Sequence, residues 1–237
     1  MLRVPMHRGG TWLIIGLFAL LSGVAFVTTL NAFLDTSSQA LTAPPPQPVN
    51  VNQLLIRPFL LRVGMVALFV LPLITASSAS PTRPARSVVA TFVSALAVYA
   101  IMLLLSFVLV AALFLFGAPE WGSIATGYLG LLVTGAAFIS VGLLISSLAT
   151  SPVAAGFATF AISLMLFAAA WLARTGTAGA QPVFSYFSAG DALDDFAKGV
   201  VDTGHVVSCL TITALGLFLT QRAIERPPDN RQLTTDN

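Results

Sequence analysis

The stretch GYLGLLVTGAAFISVGLLISSLATSPVAAGFATFAISLMLFAAAWL, residues 127–172, carries no charged side chain. It reads as two apolar runs joined by TSP at 150–152. Each run is long enough to cross a bilayer as a helix, which takes about 20 apolar residues for a ~30 Å hydrocarbon core. Pro152 suits the first turn of a helix, where its missing N–H costs nothing. Both runs are rich in small residues. Gly135 and Gly142 are a heptad apart, as are Ser140 and Ser147, and Ala136 with Ser140 makes a small-xxx-small pair. In the second run Ala155, Thr159 and Ser163 fall at i, i+4 and i+8. Such faces let helix backbones approach closely, which is how membrane bundles pack. Helix packing is the plain reading of Gly135, Ser140, Gly142 and Ser147, and a pore lining is the functional one.

Four more apolar runs flank this pair. The expected spans are about 11–34, 59–79, 87–116, 122–149, 152–174 and 204–223. Apolar residues make up 57% of the 237 and charged residues 8%, against roughly 25% charged in a soluble domain. Mean hydropathy is +0.91. No alternating ten-residue pattern suggests a membrane β-barrel. The expected fold class is therefore all-α: a polytopic membrane protein with six transmembrane helices and a single transmembrane domain over 1–237. The third and fourth runs exceed a ~30 Å core at 1.5 Å per residue, so they tilt or extend past it. The first run, Trp12 to Leu34, follows a basic start as a signal peptide would. It is longer than the 7–15 apolar residues of a signal core, so it reads as an uncleaved span.

The connections differ in kind. Residues 35–58 (DTSSQALTAPPPQPVNVNQLLIRP) read as a polar, proline-rich loop, and 80–86 as a short proline–arginine loop. GAPEW at 117–121 reads as a tight turn with Trp121 at interface depth, and residues 224–237 as a flexible tail. Six spans put both termini on one side. Of the 11 Lys and Arg, Arg3, Arg8, Arg83, Arg86, Arg222, Arg226 and Arg231 fall on that side, and Arg57, Arg62, Arg174 and Lys198 on the other. Asp35, Glu120, Asp191, Asp194, Asp195 and Asp202 join the second group. The excess of basic residues places the termini and the 80–86 loop in the cytoplasm. Arg62 and Arg174 lie near span ends, within reach of the interface.

Residues 191–203 are the most informative connection. Leu193, Phe196, Ala197, Val200 and Val201 repeat at i, i+3, i+4, i+7 and i+8, while Asp191, Asp194, Asp195, Lys198 and Asp202 take the other face. This predicts a short amphipathic helix at the outer interface, with Asp194 and Lys198 as an i, i+4 pair. It is either a surface helix packed on the bundle or a lid within an outer gate segment, 181–203. The aspartates have no His or Glu neighbour suited to a metal site, so a solvated acidic face is the plainer reading. Cys209, the one cysteine, cannot form an internal disulfide and reads as a small buried hydrophobe. No Asp, Glu or Lys is expected at the middle of a span, where ion-coupled carriers keep a relay group. P-loop, H-E-x-x-H and G-x-S-x-G motifs are missing, and no basic cluster with aromatics points to nucleic acid. The chain reads as no enzyme, with no catalytic, cofactor-binding or metal-binding residues.

The segments 127–172, DDFAKGVVDTGHVV (194–207), LGLFLTQRAIER (215–226) and FVLPLIT (69–75) resemble the six-span permeases of type-2 ABC exporters. Within these the chain is most similar to the gliding-motility and nitrous-oxide-reductase-maturation type. The resemblance implies a permease subunit in the bacterial cytoplasmic membrane that pairs with a second copy of itself or a similar permease. Two separate ATPase subunits would bind below it and hold ATP and Mg, so this chain itself would carry no cofactor. The segment between the fifth and sixth spans would form an outer gate, with Leu193, Asp194, Asp195, Phe196, Lys198 and Val200 on its helix. An extracytoplasmic accessory protein is compatible with the type.

The resemblance also implies an ATPase-coupling loop at Ser80, Pro81, Arg83, Pro84 and Arg86, with Arg3 and Arg8 as a cytoplasmic N-terminal contact. Here the chain departs from the type. No Glu, Asp or Lys stands between Arg62 and Glu120, and Thr91 occupies the place of a lysine near the start of the third span. That departure is compatible with a second expectation, a non-transporting membrane scaffold derived from such a permease. A secondary carrier is disfavoured by the lack of mid-membrane charge.

Overall fold

The computed structural model describes residues 8–42, 50–76, 88–114, 120–175 and 188–224. Among these residues the chain is all-helical. Six helices are long and apolar enough to cross a membrane, the make-up of a multi-pass membrane protein. They are α1 (Arg8–Thr42), α2 (Arg57–Ala76, preceded by a wide π-helical turn at Asn52–Ile56), α3 (Val88–Leu113), α4 (Trp121–Leu148), α5 (Pro152–Thr175) and α7 (Thr203–Ile224). The short α6 (Ala189–Ala197) lies between the fifth and sixth of them.

The expected loop at 35–58 is largely helical, and this corrects the sequence reading. Helix α1 continues to Thr42 because its polar residues bond backwards along the helix. Thr36 Oγ1 donates to Ala32 O at 2.8 Å, Ser38 Oγ to Asp35 O at 2.8 Å, and Thr42 Oγ1 to Gln39 O at 3.0 Å. Extending an existing helix costs far less than starting one, and α1 is helical through Thr42. On the far side Asn50 caps the next helix: its Oδ1 accepts from the N–H of Asn52 at 2.9 Å and of Gln53 at 3.3 Å. Pro58 has no N–H to return to the carbonyl four residues back, which accounts for the wide turn just before it.

Successive long helices run antiparallel, so α2, α4 and α7 are parallel. The layout is set by α4, the most enclosed span: 67% of its apolar window is buried, against 22% for α1, α5 and α7. Its small residues each admit a different neighbour. A Cβ at Gly130 would stand 2.5 Å from Phe196 Cβ of α6, and one at Gly127 would collide with Leu60 of α2. A Cβ at Gly135 would strike the Tyr99 ring of α3, and one at Gly142 would strike Thr75 of α2. Ser140 lies against Gly216 of α7; its hydroxyl donates to Ala137 O of its own helix at 2.8 Å and lies 3.4 Å from Ile212 O of α7. Ser147 likewise bonds within its own helix, donating to Leu144 O at 2.7 Å.

The larger polar side chains inside the bundle are bonded, as low dielectric favours, while the hydroxyls of Ser22, Thr134 and Ser163 are buried without a hydrogen-bond partner among the described residues. Tyr99 is fully enclosed, and its hydroxyl donates to Leu131 O at 3.0 Å. Tyr128 OH lies 3.2 Å from Ser106 Oγ, with its ring edge-on to Phe107. Trp121 starts α4 and stacks on Phe114 with ring centres 4.2 Å apart. The FVLPLIT end of α2 is pinned to α4 by Ser146 Oγ donating to Thr75 O at 3.1 Å.

Candidate functional site

The polar chemistry of the described residues gathers at one end of the bundle, where α6 is seated. Its start is capped by Ser188, whose side chain accepts from Asp191 N at 3.2 Å. Its end is a Schellman motif. Gly199 has φ +88, its N–H donates to Phe196 O at 3.0 Å, and Val200 N donates to Asp195 O at 3.0 Å. The helix therefore stops six residues short of the expected 203. This corrects the predicted stripe: Leu193, Phe196 and Ala197 are buried, while Val200 is 56% exposed beyond the helix. The Lys-Gly pair at 198–199 was the available stop signal, and the apolar periodicity running past it hid that signal. Asp202, expected on the same helix, instead caps α7, accepting from Gly204 N at 2.7 Å.

The buried face of α6 meets glycines. Leu193 fills the space beside Gly64 of α2, and Phe196 the space beside Gly130 of α4. Thr126 Oγ1 shares its proton between Gly122 O of its own helix at 2.8 Å and Phe196 O at 2.9 Å, tying α4 to the end of α6.

The polar face of α6 carries a chain of charges. Arg57 donates to both oxygens of Asp194, from Nε at 2.7 Å and from Nη2 at 2.9 Å. Lys198 Nζ lies 2.8 Å from Asp194 Oδ2 and 3.1 Å from Asp195 Oδ1. His205 Nε2 of α7 lies 3.4 Å from Asp195 Oδ2. Burial acts to raise the Asp194 carboxyl, but hydrogen bonds from Arg57 and Lys198 outweigh it and hold its pKa below the ordinary value. Lys198 is pushed the other way, above its ordinary value, by hydrogen bonds to Asp194 and then Asp195. Asp194 and Asp195 are thus paired rather than merely solvated. The cluster joins α2, α6 and α7; a separate contact has Asn52 donating from Nδ2 to Glu120 Oε2 at 3.0 Å. His205 also lines a small cavity with Ser188, Ser208 and Cys209, with room for about one water molecule.

Arg62 lies deeper than its expected place near a span end, because the second apolar helix begins at Asn52. It is five residues, about 7.5 Å, beyond Arg57 along α2. Its Nη1 donates to Thr29 Oγ1 and, at 3.4 Å, to Thr28 Oγ1. Among the described residues no group of three or more His, Cys, Asp or Glu is placed to hold a metal ion.

Several residues singled out in the sequence fall elsewhere. Arg3, Ser80, Pro81, Arg83, Pro84, Arg86, the 181–187 part of the gate segment and the tail from 225 lie outside the described residues. Arg8 begins α1, at the end of the bundle away from α6. The partner that sequence reasoning missed is Arg57. It sits 137 positions from Asp194, and no local pattern connects them. No protein-family model, curated protein or solved structure matches the chain.

Proposed function

We propose that this chain is the membrane-spanning permease subunit of an ATP-driven ABC exporter in a bacterial cytoplasmic membrane. A separate ATPase, in two copies, supplies the power, and substrate moves where two permease subunits meet. The observation that carries the reading is the break between the fifth and sixth apolar helices. A capped amphipathic helix occupies it, held to the bundle by ion pairs rather than by apolar contact alone. Such a helix at a pathway mouth serves as a gate with a defined closed position. The resemblance of 127–172 and 194–207 to type-2 permeases supports the same reading, with the termini and the 80–86 loop facing the ATPase.

Tagged chain isolated from its native membranes is expected to bring down an ATPase subunit, and the purified chain alone to hydrolyse no ATP. Isolation that repeatedly returns the permease without any ATPase counts against the proposal. The second reading, a scaffold that does not transport, is favoured by the lack of acidic residues between Arg62 and Glu120. Replacing Arg83 and Arg86 with Gln separates the two. A coupled permease loses ATP-stimulated activity, whereas a scaffold keeps its assembly and changes no turnover.

A further inference from the structure

Among the described residues the Arg62 guanidinium has no counter-charge. Among the described residues every ion pair belongs to the α6 cluster, and none includes Arg62. Its contacts are two hydroxyls, and both hydroxyls already give their protons away: Thr28 Oγ1 donates to Ala25 O at 3.0 Å and Thr29 Oγ1 to the same oxygen at 2.6 Å. They can only accept from Arg62, and they do so through Nη1. That leaves the Nε and Nη2 edge of the guanidinium with no partner among the described residues. This edge is the planar fork that matches two oxygens of a phosphate.

The surroundings of Arg62 continue this polar head with an apolar tail. Met65, Phe69 and Leu73 follow it on the same face of α2, at i+3, i+7 and i+11, and are 49%, 60% and 49% exposed. Helices α1 and α5 both pack on α2 but make no extensive contact with each other, so this face is the floor of a groove between them. From Arg62 to Leu73 the groove runs about 16 Å along the helix, roughly half of a ~30 Å hydrocarbon core. A cation at one end of an open apolar channel has the shape and charge of a site for one amphiphile, head at Arg62 and chain along the floor.

We infer that Arg62, Thr28 and Thr29 form the headgroup site for an anionic phospholipid, whose acyl chain lies over Met65, Phe69 and Leu73. The phosphate takes the open Nε and Nη2 donors, and net negative charge on the lipid neutralises the guanidinium. This inference does not depend on the permease reading.

The test is lipid titration of the full-length chain, delipidated in detergent and followed by native mass spectrometry. Phosphatidylglycerol is expected to bind at one site at least about tenfold more tightly than phosphatidylcholine, the range of one charge-assisted hydrogen-bond pair. Arg62→Gln should abolish the preference. Thr28→Val with Thr29→Val should weaken it severalfold by leaving the guanidinium unoriented, and Arg62→Lys should retain part of it. Lys198→Gln, which removes a cation outside the groove, should leave it unchanged. Should Arg62→Gln fail to fold, the Thr and Lys variants decide the matter. Equal binding of the two lipids, or a preference surviving every groove variant, overturns the proposal. Full displacement by millimolar inorganic phosphate also overturns it, since the site would then take the free anion and not the lipid.

Discussion

Arg57 and Asp194 meet in a two-pronged ion pair across 137 positions of chain, and the pair fixes α6 to the start of α2. Both groups are partly open to solvent, 37% and 24% exposed, so screening trims its strength. The paired geometry and partial burial place the loss on removing one partner at about 1–2 kcal/mol. Asp194→Asn and Arg57→Gln should each lower the unfolding midpoint in detergent and speed proteolysis within 188–202. The double variant should cost less than the sum of the two, because the second change removes a group already unpaired. Additive losses would show that the two side chains do not act together.

The same cluster sets a pH window. Asp194 is held below its ordinary 3.8, so its contribution is complete above that value and fades as pH falls through the lower folded value. Lys198 is held above its ordinary 10.5, so its contribution is complete below that value and fades as pH rises through the higher one. The groups facing this pair are Arg57 of α2, Asp195 of α6 and His205 of α7. Hydrogen exchange in α6 should therefore rise at the acid extreme in the native chain. Asp194→Asn should exchange faster at neutral pH and show a smaller further rise in acid. An unchanged acid limb in that variant would assign the effect to another carboxyl.

The glycines of α4 admit close neighbours, and substitution there should cost far more than on α1. Gly135→Ala forces the enclosed Tyr99 ring to shift, with its hydroxyl already committed to Leu131 O. Overpacking of that kind costs about 1–3 kcal/mol. At Gly16 an added Cβ meets nothing within 4 Å, and Gly16→Ala should be neutral or gain up to about 1 kcal/mol from helix propensity. Thermal unfolding of the two variants side by side checks the contrast. Equal effects would mean that α4 does not pack as described.

Local pattern carried most of the helix layout and little of the site. The number of long apolar helices, the tight turn at Pro152 and an amphipathic element after α5 were all legible, because each rests on periodicity or length within one segment. The small-residue spacing of 127–150 marked a packing helix, but not that one helix would serve α2, α3, α6 and α7 at once. The Arg57–Asp194 pair was hidden because ion pairing across the bundle leaves no trace in local order. Polar composition misread 35–42, where Thr36 and Ser38 bond to the preceding turn instead of breaking it.

Asn50 was overlooked for the same reason, as one more polar residue in an assumed loop. It receives two of the backbone N–H groups that a helix start leaves unbonded, and so sets the point from which Arg57 and Arg62 are counted along α2. Asn50→Ala should cost about 1 kcal/mol, the usual loss for an N-cap. Asn50→Asp should preserve the cap and add a favourable charge at the positive end of the helix. The amides of residues 52 and 53 should exchange faster in the Ala variant and not in the Asp variant. The reciprocal contact of Asn52 with Glu120, with Glu120 N donating to Asn52 Oδ1 at 3.3 Å, should loosen with them. If the Ala variant matches the native chain in both exchange and unfolding midpoint, the start of α2 is held by its tertiary contacts alone and Asn50 is dispensable.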